Sequence, residues 1–374
     1  MPADPEGDIH VDLRRGQLQP GTVTPPVPDG SGFAWPSVLG PLLRGDALGE
    51  EQAAAAMGEI LAGEASDAQI AAFATGLRAK GETADELTGL VRAMLAAATP
   101  LEVAGPLVDT CGTGGDRAGT FNVSTVAALV VAGAGCRVAK HGNRAMSGRC
   151  GSADLLEALG VAIGLPAPGV AATIEAVGVG FCFAPVFHPA MRHAAGPRRE
   201  LGVPTVFNFL GPLTNPARAA HQALGVADPA MAPVMAEVLR RTGTVHAWVF
   251  HGDDGLDELT TTTGSTVLEV RPEGVRTLRV DPAELGLAPA TRADLLGGDV
   301  ARNVAVARSV LAGEGGAARE LVLLNAAAAL VAADVAASLG DGLELAARSI
   351  DGGRARAVLD AWVEASQQAA REPA

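Results

Sequence analysis

The chain has 374 residues, a formal net charge of −14, 48% hydrophobic residues and 3% aromatics, with no tyrosine. That length predicts two packed units or one large α/β unit, with enough apolar residues to build a substantial core. The acidic balance and scarce aromatics argue against nucleic acid or an anionic membrane surface as the main partner.

Residues 1–34 form a polar tail rich in proline and glycine (Pro20, Pro25, Pro26, Pro28, Gly30, Gly32). This composition predicts a disordered or loosely attached extension, with no signal-peptide core. From Trp35 to Ala98 the apolar spacing is helical. Segments begin near Val38 and run over Glu50–Leu61, Ser66–Ala79 and Thr83–Ala98, with Ser66 and Thr83 as N-caps and Gly63 and Gly81 as stops. The character changes at 99–106. Strands are then expected at 107–110, 137–140, 180–184, 244–251, 266–270 and 276–280. Helices are expected at 126–134, 153–158, 170–176, 231–241, 301–312, 317–337 and 353–367. Alternating strands and helices predict a mainly parallel sheet covered by helices. The strand pattern lapses between Phe187 and Asn215, which suits a helical insertion returning to the N-terminal bundle. The expected organisation is a small all-helical domain, 35–103 joined by about 187–216. A larger α/β domain takes 104–186 and 217–374, and the active site lies in the interdomain cleft. No stretch reaches the ~18 apolar residues of a membrane span. Cys111, Cys136, Cys150 and Cys182 show no Cys-x-x-Cys spacing. That pattern reads as reduced thiols in a cytoplasmic protein, not as a zinc site or a disulfide framework.

Four stretches could carry chemistry. The first runs from Asp109 to Asp116 and on through Gly119-Thr120-Phe121-Asn122-Val123-Ser124-Thr125. A strand, a glycine turn and a helix start aim backbone N–H groups at phosphate. The spacing fits neither the dinucleotide fingerprint nor the P-loop, and Ser124 and Thr125 also suit simple helix capping. The second is Lys140-His141-Gly142-Asn143-Arg144-Ala145-Met146-Ser147-Gly148, continuing to Ser152. It lies in a window, 117–153, that holds five Arg/Lys and no Asp or Glu. A basic, glycine-rich loop suits a diphosphate. The third is the acidic run from Asp253 to Glu258, beyond an apolar strand. Asp257 and Glu258 could share Mg²⁺ with phosphate oxygens, although acidic turns are commonly just solvated. The fourth pairs Arg198, a candidate carboxylate clamp, with the turn-rich run 208–216.

Taken together, these stretches resemble the anthranilate phosphoribosyltransferases from about Trp35 to near the C-terminus. The matching motifs are Gly-Thr-Gly-Gly-Asp at 112–116, Asn-Val-Ser-Thr at 122–125, Lys-His-Gly-Asn-Arg at 140–144, Gly-Ser-Ala-Asp at 151–154, Gly-Pro-Leu-Thr-Asn-Pro at 211–216 and Asp-Gly-Leu-Asp-Glu at 254–258. The resemblance implies a homodimer through the helical domain and transfer of a phosphoribosyl group from phosphoribosyl pyrophosphate to anthranilate. It places Gly112, Gly115, Asp116, Thr120, Asn122, Val123, Ser124, Thr125, Lys140, His141, Gly142, Asn143, Arg144, Ala145, Met146, Ser147, Gly148 and Ser152 around phosphoribosyl pyrophosphate. Ser124, Asp257 and Glu258 would hold Mg²⁺. Gly112, Asn143 and Arg198 would contact anthranilate, with His141 and Arg198 positioning it. Gly148 and Cys150 stand where serines are common in this family. The rival readings are a pyrimidine nucleoside phosphorylase of similar architecture, a phosphoribosyltransferase of the other common fold, and a noncatalytic nucleic-acid-binding relative.

Overall fold

The computed structural model describes residues 33–145 and 149–371. Residues 1–32 of the expected tail, and Met146, Ser147 and Gly148 of the basic loop, lie outside the described residues. Four helices come first: α1 (Trp35–Leu43), α2 (Glu50–Ala62), α3 (Asp67–Lys80) and α4 (Ala84–Ala97). The Ser66 hydroxyl accepts from the Gln69 N–H and Thr83 Oγ1 from the Glu86 N–H. Such caps contribute about 1 kcal/mol each. Gly63 closes α2 at φ 81°. The inner faces bury Trp35, Ile60, Phe73 and Leu90 in one apolar cluster.

The elements that follow are β1 (Val108–Gly112), α5 (Val123–Gly133), β2 (Val138–Gly142), α6 (Ser152–Leu159), α7 (Ala167–Val177), β3 (Val179–Phe183), α8 (Ala184–Phe187), α9 (Arg192–Leu201) and α10 (Phe207–Leu213). Next are β4 (His221–Gly225), α11 (Ala232–Arg241), β5 (His246–Gly252), β6 (Ser265–Arg271) and β7 (Gly274–Val280). The chain closes with α12 (Val300–Leu311), α13 (Ala317–Ala332), α14 (Leu339–Asp351) and α15 (Arg354–Ala369). The seven strands form one sheet in the order β3-β2-β1-β4-β5-β6-β7. The pairings from β3 to β5 are parallel, and β5-β6 and β6-β7 are antiparallel.

Alternation along β5 shows how the sheet is covered on both faces. Trp248 and Phe250 join the apolar cluster built with α5 and α13, whereas Ala247 and Val249 join the cluster of the N-terminal helices. Ala194 of α9, Phe207 and Leu210 of α10 and Met235 of α11 sit in that second cluster. Where the chain passes between bundle and sheet, its connections brace one another: Thr99 N–H donates to Phe187 O (2.8 Å) and Leu101 N–H to Pro216 O (3.1 Å).

Three elements, β4, α13 and α14, depart from the sequence reading. Strand β4, His-Gln-Ala-Leu-Gly, is wholly buried despite its polar start. Partners supplied from distant segments make this tolerable: His221 Nδ1 pairs with Ala332 O and Gln222 Nε2 donates to Pro212 O. The helix expected over 317–337 ends at Ala332, followed by Asp334 at φ 56°. The separate helix α14, which sequence reading missed, then begins under a Ser338 cap.

Candidate active site

β1 lies between β2, which continues toward β3, and β4, which continues toward β5, so the strand order reverses direction here. Ligands of open α/β sheets bind beyond the carboxyl ends of strands at such a switch. The C-terminal ends of β1 and β2, the loops after β1, β2 and β5, and the first turns of α5 and α6 carry all but one of the sequence-predicted site residues that are described; the exception is Arg198.

The glycine turn after β1 is tied down from two sides. Thr113 N–H donates to Gly225 O at the end of β4, and Thr113 Oγ1 accepts from the Ala227 N–H, both at 3.0 Å. Gly114 N–H donates to Asp257 Oδ2 at 2.7 Å. Gly112 is required by close approach, because a Cβ there would stand 2.9 Å from Asp257 Cγ. The loop then runs through Thr120 to Asn122, which precedes α5 without capping it. Ser124 and Thr125 are not caps either. The backbone of Ser124 instead meets the buried Glu258 carboxylate, which thus occupies the positive end of α5. Val123 offers a ligand no free group: its side chain is in the core and its N–H donates to Phe121 O.

The acidic run divides by role. Asp253 pairs with Arg279, and Asp254 accepts from the Thr260 and Thr262 hydroxyls. Asp257 and Glu258 turn inward and are buried. Burial, reinforced by the neighbouring Asp116, pushes the Asp257 carboxyl up. Burial and then Asp257 push Glu258 well above the usual range, against the pull of Lys140. Buried Asp116 Oδ2 has no hydrogen-bond partner. These are hard oxygen donors in a low-dielectric place with too little positive charge. No group of three or more His, Cys, Asp or Glu side chains among the described residues is arranged to hold a metal ion. A donor set of two carboxylates and the Ser124 hydroxyl suits a cation that takes its remaining ligands from phosphate and water.

Lys140, 2% exposed, reaches back to donate to Thr110 O (2.7 Å) and Ser124 Oγ (3.4 Å). Burial lowers its pKa, opposed by Asp109, Cys111 and Glu258. Asp109, fully buried, accepts from the His141 N–H at 3.1 Å. His141 lies edge-on to His188, with ring centroids 5.6 Å apart. Burial pushes both imidazoles down to about 4, with Lys140 adding to the effect on His141. His188 is fixed by Thr214 O at 2.8 Å, whereas His141 Nε2 is buried without a partner.

The positive island read from the sequence is smaller in space. Arg144 is held by Asp154 and Glu157 of α6, and Arg137 donates to Ala104 O. Asp154 also accepts from the Ala145 and Gly151 N–H groups and so shapes the loop. Among the described residues, Arg117 and Arg149 form no ion pair. Asn143 holds the loop's base: its carbonyl accepts from Ser152 Oγ and the Ala153 N–H. Gly115, Thr120 and Asn143 are on the same strand-end face, and Gly142 ends β2.

Arg198 sits on α9, not in these loops. Its guanidinium lies over the Phe207 ring at 5.6 Å, has no carboxylate partner among the described residues, and has a pKa lowered by burial. Phe207 starts α10, and Gly211, one turn on, faces His141. A half-buried cation without an anion is therefore connected to the β2 loop through one short helix. Sequence reading assigned no role to Asp109, Thr113, His188, Gln222 or Gly225. Asp109 carried a signal, as a carboxylate inside a strand that opens onto a glycine turn, and so did Thr113, as the hydroxyl residue within that turn.

Comparison with known proteins defines the class first. The model for the helical bundle domain of a glycosyl transferase family matches residues 36–98, and that for its a/b domain matches residues 104–356. An anthranilate phosphoribosyltransferase of Nocardioides sp. is 58% identical over 337 residues, covering 89% of this chain and 98% of the relative. One from Roseiflexus castenholzii is 57% identical, covering 87% and 96%. The crystal structure of the Thermus thermophilus enzyme of that name superimposes with a TM-score of 0.84 at 45% identity, covering 88% of this chain and 99% of that one. The Saccharomyces cerevisiae enzyme in complex with PRPP and Mg gives 0.83 at 26% identity, covering 89% and 98%. The chain belongs to this glycosyl transferase family and, within it, to the anthranilate phosphoribosyltransferases.

Proposed function

We propose that this chain transfers the 5-phosphoribosyl group of phosphoribosyl pyrophosphate to the amine of anthranilate, releasing pyrophosphate in a step of tryptophan biosynthesis. The observation that carries this reading is the meeting, at the sheet's switch point, of a glycine turn, the buried pair Asp257–Glu258 and buried Lys140. Mg²⁺, held by Ser124, Asp257 and Glu258, would supply positive charge to the diphosphate as it departs. The N–H groups of the 112–122 turn that no protein acceptor takes, with the loop after β2, bind the phosphates. Gly112, Gly115, Asp116, Thr120, Asn122, Ser124, Thr125 and Lys140 line that site. His141, Gly142, Asn143, Arg144, Ala145 and Ser152, with Met146, Ser147 and Gly148, complete it.

The attacking nitrogen is an aniline, already unprotonated at neutral pH, so no general base is needed. This agrees with two imidazoles held neutral and with the lack of a His–carboxylate dyad at the site among the described residues. Arg198, with Gly112 and Asn143, binds the anthranilate carboxylate and turns the amine toward ribose C1, while neutral His141 lines its approach.

We place the two substrates between a helical unit, 35–103 with 187–216, and an α/β unit, 104–186 with 217–374. We assign the helical unit the dimer contact and the protein a cytoplasmic setting. No helix among the described residues is long and apolar enough to cross a membrane. The test is loss of anthranilate fluorescence when phosphoribosyl pyrophosphate and Mg²⁺ are added to the purified chain. No loss, with phosphorolysis of thymidine or uridine instead, would transfer the reading to a nucleoside phosphorylase.

A further inference from the structure

The segment that carries Thr120 and Asn122 is joined to the start of α5 by Asn122 O, which accepts from the Thr125 and Val126 N–H groups, but its other side is held from far away. It is zipped to a stretch about 180 residues downstream. Phe121 N–H donates to Leu295 O (3.3 Å), Gly297 N–H donates to Gly119 O (2.9 Å), and Thr120 and Leu296 form an antiparallel bridge. Asn303, in the first turns of α12, closes this small ladder. Its side chain is 3% exposed and has a bond for each polar hydrogen-bonding role. Oδ1 accepts from the Asn122 N–H (3.2 Å), and Nδ2 donates to Gly298 O (3.1 Å) and Asp299 O (2.9 Å).

The consequence falls on Asn122. Its backbone N–H is taken by Asn303 and its Nδ2 donates to Cys150 O (3.1 Å) in the other phosphate loop. Its Oδ1 is left buried and without a partner. Asn122 is thus fixed between α12 on one side and the β2–α6 loop on the other, with one acceptor free. Gly297 belongs to the same device. A Cβ there would stand 2.8 Å from Phe121 Cα, 2.9 Å from Phe121 N and 3.0 Å from Thr120 O, all backbone atoms that must move to admit it.

We infer that Asn303, with the Leu295–Asp299 strap, is a positioning residue for the diphosphate substrate, setting the 119–122 loop without touching the ligand. This rests on the function proposed above. Asn303→Ala frees the Asn122 N–H and drops two strap bonds. Gly297→Ala leaves Asn303 intact and displaces the 120–121 backbone sterically. Each variant should raise KM for phosphoribosyl pyrophosphate about 5- to 30-fold, the range of one to two lost or misplaced hydrogen bonds. The KM for anthranilate should stay within twofold. Calorimetric titration with phosphoribosyl pyrophosphate and Mg²⁺, without anthranilate, should show the same weakening.

The wild-type chain is run in the same assay. An inactive wild type overturns the functional reading, whereas an active wild type with unaffected variants overturns this inference alone. A parallel rise in both KM values at a lowered melting temperature also overturns it, since that is the mark of general loosening. Should Asn303→Ala fail to fold, Gly297→Ala, at the edge of a loop, decides the question by the same split.

Discussion

Gly225 ends β4 and contacts no substrate in the proposed site, yet it governs where the acidic pair lies. A Cβ at this position would stand 3.2 Å from Asp257 Cα and closer still to the Asp257 carbonyl carbon and oxygen, inside the 3.4 Å at which ordinary contact begins. The obstacle is backbone, so no rotamer change relieves it. Gly225→Ala must therefore push the Asp257–Glu258 segment away by a distance on the order of 1 Å, a misplacement that can cost about 10²-fold in rate. Overpacking should also cost about 1–3 kcal/mol of stability. The expected result in the anthranilate fluorescence assay is a kcat/KM about 100-fold down, with the half-saturating Mg²⁺ concentration raised and KM for anthranilate nearly unchanged. A variant with normal Mg²⁺ dependence would refute the placement of the cation at Asp257 and Glu258. Normal turnover with full stability would show that the 257 segment yields without consequence.

Three further outcomes test other parts of the site. Arg198→Ala should raise KM for anthranilate about 10- to 100-fold, the value of charged hydrogen bonds worth about 1.5–3 kcal/mol, and leave that for phosphoribosyl pyrophosphate within twofold; equal shifts in both would remove the clamp. Asp257→Asn with Glu258→Gln should lower Mg²⁺-dependent turnover by at least about 10²-fold. Because burial raises both carboxyls, they cost the metal-free fold stability as pH climbs above the usual carboxylate range. The amide pair should therefore unfold at no lower denaturant concentration than the parent at pH 8 with chelator, and a large drop would contradict that sign. His141 and His188 have folded values of about 4 against an ordinary 6.5. The unfolded chain then takes up protons first, and stability is lost as pH falls from about 6.5 toward 4. The loss is about 2 kcal/mol per imidazole at pH 5, and His188→Gln should flatten that part of a denaturation-versus-pH curve.

What could be read from the sequence was what local pattern encodes. The four N-terminal helices announce themselves through apolar spacing and caps such as Thr83, and β5 through the run Ala247 to Phe250. β4 was hidden because His221 and Gln222 look like surface residues, and their burial is made possible by partners from other segments: Ala332 for His221, and Pro212 and Cys111 for Gln222. The site motifs were visible as glycine, basic and acidic stretches, but their division of labour was not. Counting charges between 117 and 153 finds no acid, since Asp154 and Glu157 begin just beyond the window and α6 folds them back onto Arg144. Likewise, nothing near Asn122 in sequence points to Asn303, because a ladder closed by a residue 181 positions away has no local signature.

Burial acts on both signs of charge at this site, and that makes the arrangement costly for the fold alone. It raises Asp257 and Glu258 and lowers Lys140, so each group is drawn toward its neutral form by the same low dielectric. Bringing them closer together would relieve that strain through direct ion pairing. The fold instead sends Lys140 to a carbonyl and a hydroxyl, and anchors the Asp257 and Glu258 carboxylates on backbone N–H groups of Gly114 and Ser124. Asp116 Oδ2, Asn122 Oδ1, Thr125 Oγ1 and His141 Nε2 are left buried and unpaired around them. Groups so placed normally find partners in a folded protein. A cation with a diphosphate is the kind of ligand that answers them together, giving the carboxylates positive charge and the lysine and turn N–H groups negative charge. Ligand binding should therefore stabilise the fold more when both arrive than the sum of each alone, which melting curves with Mg²⁺, with pyrophosphate and with both would measure. Additive shifts would mean that the carboxylates and the phosphate loops do not share one ligand.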